Sequence, residues 1–140
     1  MEARSPQHIW LVRFAVGIPL LWLAVGLGLE PDPRGFGTHE QLGLSACQVS
    51  ESLGLPCPTC GATTAATLLL HGQPVESWKT QPFGFLFVLG TLAFSLQVLR
   101  MHRRGDDAFA MLMEGGGRRW GTAFILSLSV GWAWRLLVGA

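Results

Sequence analysis

Charge is scarce in this 140-residue chain: Asp, Glu, Lys and Arg together make up only 14% of it, against 49% hydrophobic residues. That balance, with a mean hydropathy of +0.37, excludes an ordinary soluble domain, which carries about a quarter charged residues. No basic run and no large net charge exists to recruit nucleic acid, since the formal charge is +1. Internal repeats and low-complexity tracts are absent too. Cysteine is confined to three positions, Cys47, Cys57 and Cys60, all within one short segment.

The chain does have three apolar runs, Ile9 to Leu29, Phe83 to Leu99 and Trp120 to Val138. Each is about 17 to 21 residues long, and a helix needs roughly 20 to cross the hydrocarbon core. Only Arg13 and Arg135 interrupt them, each near an end, and none has the polar face of a helix lining a soluble core. The expected fold is therefore an all-α membrane protein with transmembrane helices over 9–29, 83–99 and 120–138. A cleaved leader is the lesser reading of the first run, which contains Trp22 and is followed by no small-x-small cleavage site.

The few charges are distributed unevenly. Arg100, Arg103, Arg104, Arg118 and Arg119 outweigh Asp106, Asp107 and Glu114 between the second and third runs, and Arg4 and Arg13 outweigh Glu2 at the start. Residues 30–81 are acidic instead, with Glu30, Asp32, Glu40, Glu51 and Glu76 against Arg34 and Lys79. Lys/Arg excess marks cytoplasmic loops. The expected topology has a cytoplasmic N-terminus, a cytoplasmic loop over 100–119 containing a flexible "EGGGRR" linker, and an outward segment over 30–81. Arg135, near the exported end, runs against this pattern.

A structureless connection as long as 30–81 is uncommon. Thr38 with Gln41 three residues on fits a capping box opening a short helix near His39 to Leu44. In "LGLPCPTCGATTAATLLLHG", Pro58 suits a first helical turn with Cys57 as N-cap, and Gly72 with Pro74 ends the run. These signals predict a short interfacial helix over 58–71, with Thr63, Thr64 and Thr67 turned to protein or water. Trp78 and Lys79 are suited to anchor the boundary before the second span.

Two thiols at i and i+3 have few sensible uses. As a redox pair they sit where a helix N-terminus favours thiolate. As metal ligands they form half of a tetrahedral site. An odd number of cysteines argues against a pure disulfide framework. Adding His39 gives His-x7-Cys-x9-Cys-x2-Cys, a four-donor set of His39, Cys47, Cys57 and Cys60 suited to zinc, with iron the lesser alternative. The bland readings stand beside it: a loop histidine and a buried, apolar Cys47. His71 reads as a charge at a helix C-terminus, and His8 and His102 fall on the other side of the membrane. No nucleophile–base arrangement points to hydrolysis.

"DPRGFGTHEQLGLSAC", "GLPCPTCGATTA" and "HGQPVESWKTQPFG" together resemble the small bacterial membrane proteins of domain-of-unknown-function family 2752, whose pattern is Cys-x9-Cys-Pro-x-Cys-Gly-x-Thr. The resemblance covers residues 31–85 and implicates Cys47, Cys57, Pro58, Cys60, Gly61, Thr63, Gly72 and Pro82. Many members carry Arg where this chain has Thr64. The resemblance implies a bacterial inner-membrane location and a unit built from Cys47 and the CPTC pair, but supplies no activity.

Three functions remain open on the sequence. One is a zinc-binding membrane protein with a structural or accessory role. Another is a thiol–disulfide oxidoreductase with Cys57 attacking and Cys60 resolving. The third is a non-catalytic partner of another membrane protein, for which Gly121, Ser127, Ser129 and Gly131 offer small residues for close helix packing.

Overall fold

A computed structural model describes residues 5–45 and 57–138. Helix α1 runs Pro6–Gly28, a 3₁₀ turn covers Thr38–Leu42, and two short helices follow, α2 at Ala62–Leu70 and α3 at Pro74–Thr80. Helix α4 is Pro82–Arg104, α5 is Ala108–Met111, and a π turn at Leu112–Gly116 leads into α6, Gly117–Val138. No strand occurs among the described residues. The three long spans, Pro6–Gly28, Pro82–Arg104 and Ala108–Val138, are long and apolar enough to cross a bilayer.

Helix α1 starts where it does because the Ser5 hydroxyl accepts the His8 N–H and Pro6 occupies the first turn. Its 23 residues extend about 34 Å, enough for a ~30 Å hydrocarbon core. Helix α4 begins on Pro82 and stops at Gly105, whose φ of 93° is the left-handed conformation that glycine adopts without a Cβ clash. Both α1 and α6 pack on α4. Large apolar side chains cover the outside of the bundle, among them Trp10, Leu20, Leu21 and Leu137, as suits helices solvated by lipid tails.

The described residues of the 30–81 segment and the Arg100 to Arg119 segment lie at opposite ends of this bundle. At the arginine end, His8 is fully buried. Its Nδ1 accepts the Ala108 N–H at 3.0 Å, so Nε2 carries the proton and donates to His102 Nδ1, also at 3.0 Å. The two rings stack at 5.3 Å. Beside them Ala15, Val98 and Ala108 form a small core that closes α1 onto α4.

Several expectations need correction. The short helix starts at Ala62, because Gly61 takes a left-handed φ of 85° and keeps Pro58 to Cys60 in a preceding turn. Pro74 starts a further helix, α3, as well as ending the run before it. Segment 100–119 is mostly helical: α4 continues through Arg104, and "EGGGRR" enters α6 through the π turn. The Thr38–Gln41 capping box does not form. Gln41 instead brackets Glu30, accepting its N–H at 3.1 Å and donating to its carbonyl at 2.7 Å, while Thr38 Oγ1 accepts the Asp32 N–H.

Candidate functional site: the cysteine turn

Cys57 to Cys60 form a turn closed by the Cys60 N–H donating to the Cys57 carbonyl at 3.1 Å. A second bond, Ala62 N–H to the Thr59 carbonyl at 2.9 Å, carries the chain into α2. Proline at the second position presets the φ that such a turn requires. Thr59 Oγ1 lies 3.2 Å from Cys57 Sγ. Cys57 is buried and Cys60 is half-buried.

The turn is held from beneath by Gln81, the N-cap residue of α4. Gln81 is fully buried, and its Nε2 donates to the Pro58 carbonyl at 2.9 Å and more weakly to the Cys60 carbonyl at 3.4 Å. The thiol-bearing backbone is thereby bonded to the entry of a spanning helix. Two glycines make the approach close enough. A Cβ on Gly61 would stand 2.6 Å from the Gly35 carbonyl oxygen, and one on Gly84 would collide with the backbone of Ala62.

Around the turn, α2 is the hub. Its Ala65, Ala66, Thr64 and Thr67 are almost completely buried, so these two threonines face protein. Thr64 Oγ1 bonds Thr38 Oγ1 at 2.8 Å, Thr67 Oγ1 donates to the Thr63 carbonyl, and Ser77 Oγ on α3 donates to the Ala65 carbonyl at 2.6 Å. His71 ends the helix as expected but serves as a tie. Its Nε2 lies 3.1 Å from both the Gly26 and Leu29 carbonyls, so that nitrogen is the protonated one and binds α2 to the end of α1.

His39 sits half-buried on the 3₁₀ turn, beside Thr38. Among the described residues no three His, Cys, Asp or Glu side chains gather closely enough to hold a metal ion, so His39, Cys57 and Cys60 do not converge as a set. Cys47 lies outside the described residues. The nearby carboxylates are engaged by a guanidinium: Arg34 donates to Asp32 at 2.7 Å and to Glu40 at 3.0 Å. Hydrogen bonds from the Arg34 side chain, then its backbone N–H, hold the Asp32 carboxyl below its ordinary range, and the Arg34 guanidinium is shifted upward in turn.

Residues 47–95 match the family model described as protein of unknown function, DUF2752. The resemblance read from the sequence is borne out over that span. No curated protein and no solved structure matches the chain.

The DUF2752 match contains all three cysteines, α2, α3, Gln81 and the first half of α4, and it omits His39, α1 and α6. It therefore coincides with the turn and the helix that carries it. Sequence reading missed Gln81 as the buttress, although its place before Pro82 at a helix start was a signal. It also missed the Gly84–Ala62 contact, for which an isolated glycine in an apolar run is the only trace.

Proposed function

We propose that this chain is a multi-pass bacterial inner-membrane protein whose outward Cys57–Cys60 turn, together with Cys47, binds a soft divalent metal, zinc foremost, in a structural or accessory role. The observation that carries this reading is the bonded turn: Gln81 and the turn's own hydrogen bond fix the backbone that carries two thiols at i and i+3, the spacing used by half of a tetrahedral site. Cys47 adds the third thiol. His39 completes the set only by closing onto the pair when the ion binds. The collection of Arg100, Arg103, Arg104, Arg118 and Arg119 at the opposite end supports the outward orientation of the turn.

Metal analysis of the purified full-length chain tests this. Stoichiometric zinc that is lost in Cys57→Ser, Cys60→Ser and Cys47→Ser supports it, and His39→Ala reports whether the imidazole takes the fourth position. Absence of stoichiometric zinc or iron, or full retention in Cys57→Ser/Cys60→Ser, would overturn it.

The unequal exposure of the two cysteines favours a second reading, thiol–disulfide exchange with roles opposite to those expected from sequence. The more exposed Cys60 thiolate attacks a disulfide of a partner protein and releases one partner thiolate. Buried Cys57 then attacks the Cys60 sulfur of the mixed disulfide, forming the Cys57–Cys60 bond and releasing the second thiolate. Two electrons pass to the partner, and a reducing dithiol must reset the pair. Alkylation trapping in cells decides it, because a pair that never changes redox state is no catalyst.

A further inference from the structure

We infer that the bundle holds an anionic phospholipid, with its phosphate on Arg118 and Arg119 and an acyl chain in the apolar groove that begins beside them. The π turn at Leu112–Gly116 supplies the space. Gly115 leaves the helical conformation at φ 113°, and Gly115 and Gly116 bring no side chain to fill the corner between α6 and α4. A cavity of about 590 Å³ results, lined by Gln97, Glu114, Arg118, Arg119 and Trp120 among others. Its floor is braced by Trp120 Nε1 donating to Gln97 Oε1 at 3.2 Å, and Gln97 Nε2 reaches Met111 Sδ at 3.8 Å.

The charge in this cavity is basic even with Glu114 counted. Neither Arg118 nor Arg119 is engaged by any of the ion pairs among the described residues. Both guanidinia therefore retain their donors for an external anion, and phosphate is the group whose geometry they fit.

Apolar space continues directly from the polar cavity. A groove of about 780 Å³ shares Trp120 and Ala123 with the polar cavity, then runs along Phe94, Gly90 and Leu86 of α4, Phe124 and Val130 of α6 and Ile18 of α1. From Trp120 to Val130 the helix rises about 15 Å, half of a ~30 Å hydrocarbon core and hence the depth of one leaflet. A basic, tryptophan-floored cavity opening into an apolar channel one leaflet deep has the shape of a phospholipid. A free phosphate has no use for the channel, and an apolar partner helix has no use for the arginines.

The test reconstitutes the full chain in nanodiscs of phosphatidylglycerol and phosphatidylcholine with identical acyl chains and weighs the retained lipid by native mass spectrometry. Retained phosphatidylglycerol should be enriched, with the enrichment falling about fivefold for each arginine removed in Arg118→Gln and Arg119→Gln, the attraction one basic side chain exerts on an anionic surface. Gly90→Leu, at a site where a Cβ meets nothing within 4 Å, should reduce retention of both lipids by filling the groove. Arg100→Gln/Arg103→Gln should leave the enrichment unchanged. Equal retention of the two lipids, enrichment that survives Arg118→Gln/Arg119→Gln, an equal loss in Arg100→Gln/Arg103→Gln, or abolition by inorganic phosphate alone would each overturn the assignment.

Discussion

The side-chain amide of Gln81 donates to the carbonyl oxygen of Pro58 at 2.9 Å across 23 positions of sequence. One buried residue at the mouth of α4 thus fixes the backbone between two cysteines. Gln81→Leu removes that donor while keeping an apolar volume, and should lower stability by about 1 kcal/mol, the net worth of a hydrogen bond. Alkylation of Cys57 in native membranes should accelerate as the turn loosens. Unchanged alkylation in a folded Gln81→Leu protein would mean that the turn holds itself.

The contact between α2 and α4 depends on a missing side chain. Gly84→Ala drives a methyl into the backbone of Ala62, which cannot move aside as a flexible side chain does. The expected cost is about 1–3 kcal/mol, read as a lower midpoint of thermal unfolding in detergent. Gly121→Ala is the matched control: its Cβ meets nothing within 4 Å, and the midpoint should stay where it is or rise slightly.

His71 joins two elements at the cysteine end through a shared proton on Nε2. His71→Ala leaves the Gly26 and Leu29 carbonyls without that donor and should cost about 1 kcal/mol. His71→Gln, which keeps a terminal N–H donor, should recover part of it. Hydrogen exchange should rise at α2 and at the end of α1, and stay level around His8.

At the opposite end, Asp107 should impose a pH dependence. The Ser5 backbone N–H, 2.9 Å from its Oδ2, is the main cause of a carboxyl pKa lowered to about 2, with the Phe109 and Ala110 N–H groups adding to it. The folded value lies below the ordinary 3.8, so the carboxylate contributes stability above about pH 4 and loses it as pH falls toward 2. Thermal midpoints measured across that window should drop more steeply for the native chain than for Asp107→Asn, which has no charge to lose.

Much of the architecture was legible because transfer to lipid sums along the chain. The three runs led to three spanning helices within a few residues, apart from ends set by local bonds, such as Ser5 capping α1 and Gly105 stopping α4. The small residues of the third run divide once packing is known. Gly131 is consumed inside the chain, where a Cβ would strike Phe83, whereas Ser129 faces outward.

The candidate site was legible only in part. Cys57 and Cys60 are visible as a spaced thiol pair, but Pro58 reads as a first helical turn, and only the left-handed Gly61 moves it into a turn ahead of α2. His39 was grouped with them by counting donors, and donor counting carries no distance: the chain spends Thr38, its neighbour, on Thr64 instead.

By itself, then, the sequence determined the membrane-spanning class, the separation of the basic segment from the cysteine segment, and the thiol pair at its three-residue spacing. Hydropathy, charge and three-residue spacing are properties of neighbouring residues and survive without a fold. Tertiary structure alone decided that Gln81 would brace the turn, that Gly84 would admit α2, and that the cavity lined by Arg118 would share Trp120 and Ala123 with the groove lined by Val130. These depend on atoms brought within a few ångströms from distant parts of the chain, where close packing makes single side chains decisive.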